Sequence, residues 1–113
     1  MTEVFPPTIL SFSNQTVYNT TVKLRCNISA NPAPTVEWFK DGRSLEVTPV
    51  IMGESDSCES RKLRRGFYQV DNVGQLLICS PSHADQTGFY TCQATNREGT
   101  SNATAFLDVL CKV

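Results

Sequence analysis

Gly88-Phe89-Tyr90-Thr91-Cys92 is the stretch that decides how this chain folds. Successive side chains of a strand point to opposite faces, so Tyr90 and Cys92 fall on one face and Phe89 and Thr91 on the other. Two upstream runs share this period. Val22-Lys23-Leu24-Arg25-Cys26-Asn27-Ile28 sets Val22, Leu24, Cys26 and Ile28 on its apolar face, and Thr35-Val36-Glu37-Trp38-Phe39-Lys40 points Trp38 inward. Alternation of this kind marks strands with one face in a core and the other in solvent. The chain therefore reads as all-β, with a cysteine of an early strand, a lone tryptophan and a tyrosine–cysteine pair of a late strand sharing one core.

At 113 residues the chain has the length of one domain, large enough to bury a core yet small enough for covalent cross-links to matter. Its net charge of −1 and its dispersed aromatics exclude the basic field that nucleic-acid binders present. Five cysteines without a Cys-x-x-Cys pair, with His83 as the one histidine, fit disulfides of an oxidising compartment rather than a zinc site. Four Asn-x-Ser/Thr acceptors for N-linked glycan, at Asn14, Asn19, Asn27 and Asn102, point independently to a secreted or cell-surface setting. No run is long and apolar enough to span a bilayer, and Met1-Thr2-Glu3 is not an apolar leader. We expect a module of a larger extracellular protein, tied to a membrane only through a parent chain. Residues 1–5 read as a leader or linker and residues 6–113 as a single domain.

The placing of Cys26, Trp38 and Tyr90-Thr91-Cys92 resembles the immunoglobulin pattern, which sets the first cysteine on strand B, the tryptophan on C and the second cysteine on F. The stretch Asn31-Pro32-Ala33-Pro34-Thr35-Val36-Glu37-Trp38-Phe39-Lys40-Asp41-Gly42 is similar to the I-set variant of adhesion molecules and receptor ectodomains. This resemblance covers nearly the whole chain. It implies an immunoglobulin-like, I-set Greek-key β-sandwich with sheets ABED and A′GFCC′. It implies a Cys26–Cys92 bridge packed on Trp38, and a Tyr90 hydroxyl bonded to the backbone of the E–F corner. It also implies a protein-interaction module of a cell-surface receptor, receptor tyrosine kinases among them, or of an adhesion molecule, with no catalysis and no cofactor; that fold serves many binding roles. The family pattern Asp-x-Gly-x-Tyr-x-Cys is broken at one point, since two residues rather than one separate Asp85 from Gly88.

Taken in order, residues 6–12 read as edge strand A, where Pro6 and Pro7 are tolerated, and 15–18 as A′. Strand B spans 21–28 and strand C 35–40, and Asp41-Gly42 is a hairpin turn into C′ at 43–46. The pattern lapses over 47–65, a connection long enough to be functional or disordered. Strand D follows at 67–70, E at 75–80 with Leu76 and Ile78 inward, and F up to residue 95. The turn 96–99 leads into G at 100–110, with Ala103, Ala105, Leu107 and Val109 inward.

Catalysis has no basis in these residues. His83 sits between Ser82 and Ala84, and Ser82, His83 and Asp85 are neighbours in one turn that cannot form a separated triad. Arg61, Lys62, Arg64 and Arg65 follow Glu54, Asp56 and Glu59 and read first as a solvated loop. The alternative is a glycosaminoglycan-binding matrix module taking heparan sulfate on this cluster, and a third reading is an architectural spacer in a tandem array. Cys79 points away from the core beside strand D and Cys58 leads into D, so a Cys58–Cys79 bridge is expected. Cys111 is then odd, open to a neighbouring domain, to another chain, or to exchange with a member of that pair. Finally, pairing Thr95 with Thr100 sets Phe89 opposite Phe106, both outward, and strand C adds Phe39. Unless the 47–65 segment covers them, these three rings are the expected surface for self-association or a protein partner.

Overall fold

The computed structural model describes residues 3–18, 22–50, 66–70, 75–79 and 86–110. Among these the strands are β1 (Phe5–Ser11), β2 (Gln15–Tyr18), β3 (Val22–Arg25), β4 (Asn27–Asn31), β5 (Thr35–Lys40), β6 (Arg43–Ser44), β7 (Thr48–Val50), β8 (Gly66–Val70), β9 (Gln75–Cys79), β10 (Gly88–Asn96) and β11 (Gly99–Leu110). One sheet has the order β2-β11-β10-β5-β6, which in immunoglobulin lettering is A′GFCC′. The other has the order β3-β9-β8-β7, flanked by the pair β1-β4. The two sheets enclose a core of Val22, Leu24, Trp38, Leu76, Ile78, Tyr90, Leu107 and Val109. Withdrawing each large apolar side chain of this kind from water stabilises the fold by about 1.5–3 kcal/mol.

Cys26 and Cys92 are bridged across the sheets, with Cα atoms 6.4 Å apart, and Cys92 stands directly opposite Trp38 in the β5–β10 ladder. The edge of Phe12 meets the Trp38 ring with centroids 5.6 Å apart. The bridge joins residues 66 apart in sequence. A loop of that length corresponds to about 4 kcal/mol in the chain-entropy account of disulfides.

Four features differ from the sequence reading. Strand B is divided at Cys26: β3 pairs with β9, whereas β4 runs on to Asn31 and pairs with β1. That β1–β4 ladder is irregular on either side of Thr8 and Ile9, in keeping with Pro6 and Pro7, which bring no N–H to it. C′ is two residues rather than four, because Leu45 and Val47 pack against the core instead of extending the edge. The chain then crosses to the second sheet, where β7 runs parallel to β8 inside the stretch read as patternless. On β9, Leu77 and Cys79 face away from the main core as the alternation requires, yet both are fully buried in a second cluster with Tyr68. Cys79 is disulfide-bonded. Cys58 and Cys111, the residues expected to pair with it or to stand odd, lie outside the described residues. So do Asn19, Arg61, Lys62, Arg64, Arg65, Ser82, His83 and Asp85.

Candidate protein-interaction face

The β10–β11 hairpin positions the face. Asn96 pairs with Gly99 around Arg97 and Glu98, and the Asn96 Oδ1 accepts from the Glu98 amide at 2.8 Å. From that turn the register sets Thr95 opposite Thr100, Thr91 opposite Thr104 and Phe89 opposite Phe106. Hydroxyl pairs at 3.0 Å (Thr95–Thr100) and 2.8 Å (Thr91–Thr104) lock the outward rows. The Phe89 and Phe106 rings meet edge to face with centroids 4.9 Å apart and an interplanar angle of 66°. Such pairs favour this tilted geometry because a positive ring edge meets a negative face.

The three phenylalanines are not equivalent. Phe89 is 55% exposed, whereas Phe106 and Phe39 are half-buried. Phe39 stands opposite Thr91, one row along from Phe89, and among the described residues no ring contact joins it to the pair. On one side of the pair the outward residues, Thr91, Gln93 and Thr95 on β10 and Thr100, Asn102 and Thr104 on β11, are uncharged, whereas Asp108 follows Phe106 on the same face and Glu37 of β5 stands opposite Gln93.

One end of this face is clasped by Asp41. Asp41 and Gly42 both take positive φ, 50° and 82°, which a two-residue hairpin turn requires. The Asp41 amide donates to the Phe89 carbonyl at 2.8 Å, and its Oδ1 accepts from the Phe89 amide at 3.0 Å. Its Oδ2 accepts from the Lys40 ammonium at 2.9 Å. The Phe89 N–H, then Lys40, hold the Asp41 carboxyl below its ordinary value. A Cβ on Gly88 would lie 2.7 Å from Asp41 Oδ2, so the clasp needs glycine there. Beneath it the buried Tyr90 hydroxyl donates to the Gln86 carbonyl at 2.5 Å. Burial, and then the Asp41 charge, push that phenol well above its usual value. Sequence reasoning took Asp41 only as a turn residue.

The described Asn-x-Ser/Thr sequons lie apart from one another. Asn102 is exposed opposite Gln93, two rows from the aromatic pair, and Asn27 is exposed on β4 opposite Ser11, away from this sheet. Asn14, exposed just before β2, turns its Oδ1 to accept from the Phe106 amide at 2.8 Å. No group of three metal-ligating side chains occurs among the described residues.

Residues 6–96 match the family model described as an immunoglobulin domain. The chain belongs to the immunoglobulin family. This immunoglobulin domain is 37% identical to hemicentin-2 of Mus musculus over 90 residues, a match covering 80% of the chain and 2% of hemicentin-2. It is 33% identical over 106 residues to the NT-3 growth factor receptor of Gallus gallus, covering 92% of the chain and 11% of the receptor. Among solved structures, a chimeric titin Z1Z2 carrying an exogenous decorin peptide matches it with a TM-score of 0.71 at 25% identity, over 97% of this chain and 100% of that one. The immunoglobulin domain thus spans a small part of the length of these curated relatives.

Proposed function

We propose that this immunoglobulin domain is an extracellular, non-catalytic protein-binding module of the receptor or adhesion type. A second copy or a protein partner docks on the outward face of β11, β10 and β5 around Phe39, Phe89 and Phe106. The observation that carries this reading is the Phe89–Phe106 pair, an edge-to-face aromatic contact whose Phe89 ring is 55% exposed. Apolar patches on soluble domains tend to mark contact surfaces, and aromatic anchors dominate their energetics. The extracellular setting is supported by the four glycan acceptors and by the similarity to a growth factor receptor. The sulfated-glycan alternative rests on Arg61, Lys62, Arg64 and Arg65, for which the described residues supply no geometry.

The test replaces Phe89 and Phe106 with serine and follows self-association by sedimentation, with circular dichroism as the check on folding. The wild type is expected to dimerise in a concentration-dependent way and the variant to remain monomeric. A wild type that stays monomeric removes the second copy as occupant, and a folded variant that still dimerises removes this face.

A further inference from the structure

The parallel ladder between β2 and β11 begins with Gln15 opposite Leu107. One residue earlier on β11, the Phe106 N–H is taken by the Asn14 side chain rather than by β2 backbone. This bond fixes the Asn14 carboxamide. Its oxygen is committed to Phe106, and its nitrogen, the atom that N-glycosylation uses, is left for a sugar. Replacing one Nδ2 hydrogen with a glycan leaves the Oδ1 bond intact, so the attachment point is held in the same place with or without carbohydrate. The two heteroatoms of a carboxamide are about 2.2 Å apart, which puts the glycan-bearing nitrogen within roughly 5 Å of the Phe106 amide.

We propose that an N-linked glycan on Asn14 is seated beside the Phe89–Phe106 pair and controls access to it. The proposal rests on the extracellular docking reading above and names a regulation of that face. An N-linked glycan is bulky and solvated, and here it springs from the flank of the row that bears both rings. Asn102 lies two rows away at the hydroxyl-rich end, and Asn27 lies on β4. Among the described acceptors, Asn14 is therefore the one that borders the aromatic pair. The face is shielded when Asn14 is occupied and open when it is not.

The test expresses the full chain behind a cleavable leader in a glycosylating eukaryotic host, as wild type, Thr16→Val and Asn102→Gln. Thr16→Val destroys the acceptor but keeps Asn14, its bond to Phe106 and a β-branched side chain at an exposed position opposite Asp108. Site-resolved mass spectrometry reads occupancy, and hydroxyl-radical oxidation reads the accessibility of Phe89 and Phe106. Asn14 is expected to carry glycan in the wild type. Oxidation of both rings should rise several-fold in Thr16→Val and stay at the wild-type level in Asn102→Gln. An unmodified Asn14, equal oxidation in wild type and Thr16→Val, or a rise confined to Asn102→Gln overturns the proposal. Self-association is read separately. If Thr16→Val uncovers the rings and serine at Phe89 and Phe106 still leaves association unchanged, the docking reading fails while the shielding by glycan stands.

Discussion

Strands β9 and β10 belong to opposite sheets of one sandwich and meet solvent in opposite ways. Every residue of β9 from Gln75 to Cys79 is buried. Its inward Leu76 and Ile78 complete the main core, and its outward Leu77 and Cys79 close over with Tyr68. On β10 the inward Tyr90, Cys92 and Ala94 are equally sealed, but the outward Phe89 is 55% exposed. The alternation of side chains is the same in both strands. What differs is whether anything covers the outer surface, and the proposed docking rests on the open outward side of the sheet containing β10.

The contrast is most directly broken at Leu77. Leu77→Ala should cost about 2–5 kcal/mol, the range for emptying a packed core site, measured as a shift in urea midpoint. A cost below about 0.5 kcal/mol, as at an ordinary surface position, would show that the outside of β9 is open after all. A smaller effect concerns the Asp41 clasp at the exposed end of β10. Because folding depresses the Asp41 carboxyl, its contribution is complete above the ordinary carboxylate value of about 4. It fades as the pH falls through the lower folded value. Asp41→Asn should therefore flatten the acid limb of the stability profile, and Gly88→Ala should do the same by displacing the carboxylate. Acid limbs that match the wild type in both variants would show that the clasp does not hold in solution. The smallest change is expected from Phe89→Ser, below about 1 kcal/mol by chemical denaturation, since the ring already stands largely in water and loses mainly one aromatic contact. A larger loss would mean that Phe89 serves the fold.

The residues also show which parts of this arrangement could be read in advance. Strands A′, C, F and G and the pairing of Phe89 with Phe106 were legible because each depends on local alternation and on one short turn. The two-residue C′ and the parallel β7 were not, because they follow from Leu45 and Val47 finding room in the core, a matter of tertiary packing. The Asp41 bond to Phe89 links residues 48 apart and the Asn14 bond to Phe106 links residues 92 apart, so neither has a local signature. The closed outside of β9 did leave one: the unbroken run Leu76-Leu77-Ile78 is apolar on both faces, as a strand covered on both sides should be.

The parallel course of β2 and β11 has a mechanical consequence. Tension applied between the two ends of the sandwich draws β2 towards its start at Gln15 and β11 towards its end at Leu110. In a parallel pair those pulls oppose each other along a single ladder, so its hydrogen bonds are sheared together instead of parting one after another. The Asn14 side chain adds a further bond at the head of that ladder. The sandwich therefore resists stretching along its strands more strongly than peeling across them.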